Sequence, residues 1–231
     1  MSYSVQTQVS IRAAAKLFIS GEMDLYQNYP LQITEKILLE ILDLSIDEIL
    51  NIVDNNLYGT VADMKYIPQC GKLENVIKVP HYFMDNGTAC ADYSQIGFYL
   101  KQDIKSSLVA NVKFGETHGK AASFLGIVEC ENKKICPSSF TYAFCSLDTD
   151  QQNELLVKLL FRIPIVQIIL KHSRVNPFNG HIPMQTLQAS TMHRRSQCLR
   201  MIFNALNEYD NSNLKTRINN ITWEEIGDES C

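Results

Sequence analysis

Ser190-Thr191-Met192-His193-Arg194-Arg195-Ser196-Gln197 sets two hydroxyls, an imidazole, two guanidiniums and an amide within eight residues. Hydroxyl side chains cap helices by accepting the free N–H groups of the first turn, so Ser190 and Thr191 are read as a helix start. Leu199, Ile202, Phe203 and Leu206 then recur at helical spacing and form one apolar stripe. His193, Arg194, Gln197 and Arg200 mostly point away from that stripe. Guanidinium forks and amides on the free end of a short helix match the donor pattern that reads base edges in the major groove.

A second group lies upstream. Thr117, His118 and Lys120 follow Gly115 and Glu116, and are expected to open a short helix running to Leu125 and closed by Gly126. Ile127-Val128-Glu129-Cys130 reads as extended, and Glu131-Asn132-Lys133-Lys134 as a turn whose lysines reach phosphate. Residues 139–145 alternate like a strand.

Catalytic alternatives are weaker in pattern. A metal-dependent nuclease needs one acid and, about ten to thirty positions on, an acid-x-Lys that together hold Mg²⁺ and activate water. Glu116, Glu131 and Lys133 supply that order, but Glu131 falls where a hairpin turn is expected. Cys130, Cys136, Cys145 and His118 have neither finger nor ribbon spacing, so no metal site is expected. His172 and His181 flank a loop, and His81 beside Pro80 reads as structural. The glycines never cluster into a phosphate loop. No cofactor is expected, apart from Mg²⁺ if the chain is an endonuclease.

The elements that would position these groups follow from periodicity. Residues 8–20 and 32–54 read as helices, with Gly21 ending the first and a capping box at Ser45-Ile46-Asp47-Glu48. Residues 55–91 read as irregular or strand-like, and Asn86-Gly87 as a hairpin turn. Asp92–Leu100 is a capped helix, 104–114 another, and Gly115 a break. Residues 150–172 form a long helix interrupted near Pro164. A loop, a short helix at Pro183–Leu187 and a last helix from Ser190 to Glu208 follow. Three short helices and a two-stranded ribbon make the winged-helix order, and the later helices repeat its first part.

Gln95-Ile96-Gly97-x-x-Leu100 with Gly115-Glu116-Thr117-His118-Gly119-Lys120-x-Ala122-x-x-Leu125-Gly126-Ile127-Val128 resembles the winged-helix modules found with bacterial restriction systems. Ser190-Thr191-x-x-Arg194-Arg195 resembles the second such module of those proteins. The resemblance spans residues 85–210 and implies sequence-specific recognition of duplex DNA. It does not imply cleavage.

The fold expected is therefore mainly α with small β wings, with tandem winged-helix or helix-turn-helix modules after an N-terminal helical region. The divisions are 1–90, 91–148, and 149–231 with an acidic tail. The net charge is −4, unlike a general nucleic-acid coat protein, but it is uneven. Residues 22–54 carry eight carboxylates against Lys36 alone, and these acidic helices suit a protein partner better than nucleic acid. Residues 151–205 carry seven Lys and Arg against Glu154, a stretch expected to meet a polyanion. The seven cysteines, odd in number and without C-x-x-C spacing, read as reduced thiols. With no signal region and no apolar run of membrane length, a cytoplasmic location is expected, with no membrane partner. Three functions stay open. They are recognition of duplex DNA within a restriction or related defence system, a small metal-dependent type II restriction endonuclease, and a protein-interaction adaptor.

Overall fold

In the computed structural model, residues 5–23, 29–57, 59–63, 67–69, 72–101 and 107–224 are described. Asp24, Cys70, Cys231 and nearly all of the acidic tail lie outside them. The described chain is mainly helical. Helices α1 (Val5–Ser20), α2 (Leu31–Asp43), α3 (Ile46–Asn55) and α4 (Leu73–Asn86) are followed by strand β1 (Ala91–Asp92) and by helices α5 (Tyr93–Lys101) and α6 (Leu108–Phe124). A hairpin of β2 (Glu129–Glu131) and β3 (Lys134–Cys136) leads into α7 (Ser139–Cys145), α8 (Thr149–Leu160) and α9 (Pro164–His172). Then come β4 (Phe178–Asn179), a 3₁₀ turn at Ile182–Met184, α10 (Ala189–Asn207), α11 (Ser212–Asn219) and β5 (Ile221–Thr222).

The small sheets differ in kind. β1, β3 and β2 lie side by side in that order and are antiparallel, with Ala91 opposite Ile135 and Cys130 opposite Ile135 on its other side. β4 and β5 pair in parallel. The β2–β3 turn sets Asn132 and Lys133 at φ 50° and 62°. Two consecutive left-handed residues are what a tight hairpin turn requires, and Asn tolerates that region best among residues with a side chain.

Several expectations hold at the level of single residues. Gly21 ends α1 at φ 83°, and Ser45 and Glu48 form the reciprocal capping box of α3. Asp92 caps α5 by accepting from the Ser94 and Gln95 N–H groups. Pro164 starts α9, and Leu199, Ile202, Phe203 and Leu206 are all buried.

Others are corrected. Residues 73–86 are helical although Pro80 lies among them. An interior proline costs about 3 kcal/mol, and burial of Val76, Val79, Tyr82 and Phe83 on one face offsets it. Asn86-Gly87 is the end of that helix rather than a hairpin, with Gly87 left-handed at φ 61° and its N–H on the Phe83 carbonyl. Residues 139–145 form α7, not a strand. Phe140, Thr141, Ala143 and Phe144 are its buried residues, a spacing that suits a helix and that seven residues cannot distinguish from alternation.

The largest correction concerns Gly115. It does not break a helix, and Thr117 caps nothing: both lie inside the continuous helix α6. Thr117 Oγ1 donates to the Lys113 carbonyl 2.9 Å away. The reason is packing. A Cβ on Gly115 would sit 1.9 Å from the Tyr93 carbonyl oxygen, and one on Gly97 would sit 1.9 Å from that of Asn111. The two glycines let α5 and α6 cross backbone to backbone, and this close packing outweighs the propensity cost of about 1 kcal/mol for each.

Cys90 and Cys136 form a disulfide, which corrects the reading of every cysteine as a reduced thiol. The bond joins the end of β3 to the residue preceding β1. Cys130, Cys145 and Cys198 are free. Buried apolar residues from α1 to α11 belong to one hydrophobic cluster.

Candidate nucleic-acid interface

Helix α6 exposes Val109, Val112, Lys113 and Lys120 on one side and buries Asn111, Gly115, His118, Gly119 and Ala122 on the other. The hairpin docks on the buried side, since the Ile135 side chain fills the space that a Cβ on Gly119 would need. Lys133 and Lys134 at its tip are exposed and make no ion pair among the described residues. The Lys134 charge helps Ser94 and Gln95 hold the Asp92 carboxyl below its usual range. Lys120 Nζ lies 5.9 Å from the centroid of the Tyr93 ring, within cation–π range. Tyr93 meets Cys130 of the hairpin at 3.2 Å between Oη and Sγ. Tyr93 thus stands between Lys120 of α6 and Cys130 of the hairpin.

His118 is not offered to a ligand. It is 3% exposed, and its Nδ1 is 2.9 Å from the Phe114 carbonyl. Its Nε2 is buried with no partner. Desolvation holds its pKa below the ordinary value, so the ring is neutral near pH 7. Glu116 is bound to Lys120 one turn on, and Glu131 is exposed on the hairpin. Among the described residues no group of three or more His, Cys, Asp and Glu is placed to hold a metal ion.

Helix α10 starts one residue earlier than expected, at Ala189, so Ser190 and Thr191 sit inside the first turn and Ser190 is not its cap. Its exposed polar residues bond to one another. Arg194 reaches Thr191 Oγ1 at 3.5 Å, and Gln197 Nε2 lies 3.0 Å from His193 Nε2. Arg195 turns inward and donates from Nη1 to the Ile67 carbonyl at 2.6 Å.

The expected basic surface of residues 151–205 is largely consumed inside the fold. Lys158 pairs with Glu154 and donates to the Leu42 carbonyl. Arg162 donates to the carbonyls of Phe18, Phe124 and Met23 at 3.0–3.3 Å and stacks 4.4 Å from the Phe18 ring centroid. Lys171 donates to the Asn56 carbonyl, and Arg174 pairs with Asp54 at 3.3 Å. Arg194 and Arg200 remain exposed, and Arg200 lies over Trp223. The acidic helices are likewise occupied: Arg12 bridges Glu40, Asp43 and Glu48, and Arg217 chelates Asp54.

The two segments singled out by residue chemistry do meet. Glu116, Thr117 and Lys120 of α6 and Arg195 of α10 line one cavity of about 290 Å³, together with Lys113, Ala121, Phe124, Ile67 and Gln69. Lys113 was missed in the sequence, although its spacing from Glu116, Thr117 and Lys120 puts it on their helical face. Ile67 and Gln69 carried no signal, because only the tertiary fold brings that strap to α6. No helix among the described residues is long and apolar enough to cross a membrane. Comparison with protein-family models, with curated proteins and with solved structures returned no match.

Proposed function

We propose that the chain binds duplex DNA, with residues 73–136, rather than the 91–148 expected, acting as a winged-helix module. One observation carries this reading. The order α4–β1–α5–α6–β2–β3, with strand order β1-β3-β2, sets α6, with Val109 and Val112 exposed, before a hairpin whose tip holds two exposed lysines. In such a module the last helix before the hairpin meets base edges, and the hairpin meets the phosphate backbone. The groove-facing residues are then Val109 and Val112, which do not line the α6–α10 cavity, and Lys133 and Lys134 bind phosphate. Exposed valines on this face suit the thymine methyl group.

Helices α8, α9 and α10 are proposed as the second module. A parallel β4–β5 pair follows them rather than an antiparallel wing, and the surface they offer is His193, Arg194, Gln197 and Arg200. A place in a restriction or related defence system is part of the same proposal. Its support is the resemblance of the two helical segments.

The test is selection of bound duplexes from a random pool, with salt-dependent binding to the winner and incubation of supercoiled plasmid with Mg²⁺. Recovery of a consensus with a steep salt slope supports recognition. Sequence-independent binding would remove base reading by α6. Discrete cleavage lost in Glu131→Ala would favour the endonuclease, and absence of DNA binding at low salt would favour the adaptor.

A further inference from the structure

We infer that the cavity between α6 and α10 is a site for a phosphate group, and specifically for a small phosphomonoester rather than for the DNA backbone. The inference goes beyond duplex binding and does not depend on the hairpin.

Three cations, Lys113, Lys120 and Arg195, line this cavity against one carboxylate, Glu116, an excess of two positive charges that matches a phosphomonoester dianion. Glu116 is held by Lys120 on its own helix, which leaves Lys113 and Arg195 without a carboxylate partner among the described residues. Arg195 is in an unusual state. Its Nε is buried and makes no hydrogen bond, while Nη1 is spent on the Ile67 carbonyl. Burial, with the Arg194 charge beside it, holds its pKa below the ordinary value, as partial desolvation without a counter-ion does. A guanidinium does not deprotonate in proteins, so an anion is the partner that would relieve it.

The rest of the lining sets the size and character of the ligand. A volume of about 290 Å³ lies just below the range of about 300–1,000 Å³ for ligand sites, which suits only a small molecule. Thr117 and Gln69 add hydrogen-bonding groups, and Phe124, Ile67 and Ala121 an apolar wall. Phosphate for the cations and a flat or apolar remainder for the wall is the chemistry of a nucleoside monophosphate. Because α6 and α10 both line the cavity, a bound ligand would tie the two helices together.

The experiment titrates the full chain with inorganic phosphate and with a nucleoside monophosphate, by calorimetry and by NMR of labelled Lys and Arg side chains. A short duplex is titrated in parallel. The expected result is saturable one-to-one binding of the nucleotide, with movement of the Arg195 Nε resonance, weakened at least about tenfold in Lys113→Gln with Lys120→Gln. Those two side chains are exposed and their removal should leave the fold intact, so this variant keeps the test valid if Arg195→Gln fails to fold. No saturable binding, or binding unchanged in the double lysine variant, overturns the inference. Movement of Arg195 Nε by the duplex alone also overturns it and assigns the cavity to the DNA backbone. Loss of duplex binding in Lys133→Ala with Lys134→Ala, with nucleotide binding retained, would separate the two sites.

Discussion

The α6–hairpin region and the α8–α10 region use positive charge in opposite ways. From 108 to 136 the chain has four cations, Lys113, Lys120, Lys133 and Lys134, all of them exposed. From 151 to 205 it has seven, and five of them are bound to carbonyls or carboxylates of the fold. The region that looks most basic in sequence therefore keeps only Arg194 and Arg200 unspent. Arg and Lys with long apolar stems reach the free carbonyls at helix ends, where charge-assisted hydrogen bonds satisfy groups that would otherwise be buried unpaired. A cation spent in this way is part of the core and is not available to a phosphate.

The contrast can be broken most strongly at its frame. Gly97→Val should cost about 3 kcal/mol or more, because the new side chain meets the Asn111 backbone, which cannot rotate away. Chemical denaturation measures this, and a midpoint near wild type would mean that α5 and α6 do not cross as closely as described. In the α8–α10 region, Arg162→Met should lower stability by about 3 kcal/mol, since three carbonyls lose their donor. Lys134→Ala should stay within about 0.5 kcal/mol of wild type, as other exposed substitutions do. Equal effects of the two would erase the distinction between structural and surface cations.

Reduction of Cys90–Cys136, or Cys90→Ser with Cys136→Ser, should remove about 2–4 kcal/mol, because the bond closes a loop across 46 positions in the unfolded chain. Unfolding with and without a dithiol reductant reads this directly. An unchanged midpoint would mean that the bond does not form in solution. Lys133→Ala with Lys134→Ala should leave stability unaltered and reduce duplex affinity for all sequences alike. The salt slope should flatten by about one unit for each phosphate that the variant no longer neutralises. A changed sequence preference would place these lysines on bases instead.

The smallest effect expected is the pH dependence from His118. Its folded pKa is depressed by burial, so the neutral ring contributes stability above the unfolded value of about 6.5. That contribution is lost as pH falls below this value toward the folded one. Stability should decline from pH 7 to pH 5, and His118→Gln should flatten part of that decline. An unaltered slope would transfer the effect to other histidines.

Some local signals were legible where the chain settles its own hydrogen bonds. The Ser45–Glu48 capping box, the Asp92 cap, Gly21 and Gly126 in the left-handed region, and the hairpin turn at Asn132-Lys133 were all readable from residue types. So was the buried stripe of α10, because apolar periodicity records which face leaves water. Glu116, Thr117, Lys120 and Arg195 were singled out by residue type, but not as sharing a cavity.

What the residues alone determined is thus the mainly helical class, several helix ends and the turn of the hairpin, all set by interactions within a few positions. Tertiary structure decided the rest. It kept Gly115 and Pro80 inside helices, because close crossing and burial outweigh propensities of a few kcal/mol. It turned 139–145 into a helix, paired Cys90 with Cys136, and buried His118. It also drew the cations of 151–205 into the fold, because a charge near an unpaired carbonyl is stabilised by that partner wherever it lies in the chain. Sequence spacing carries no information about which carbonyl will be near.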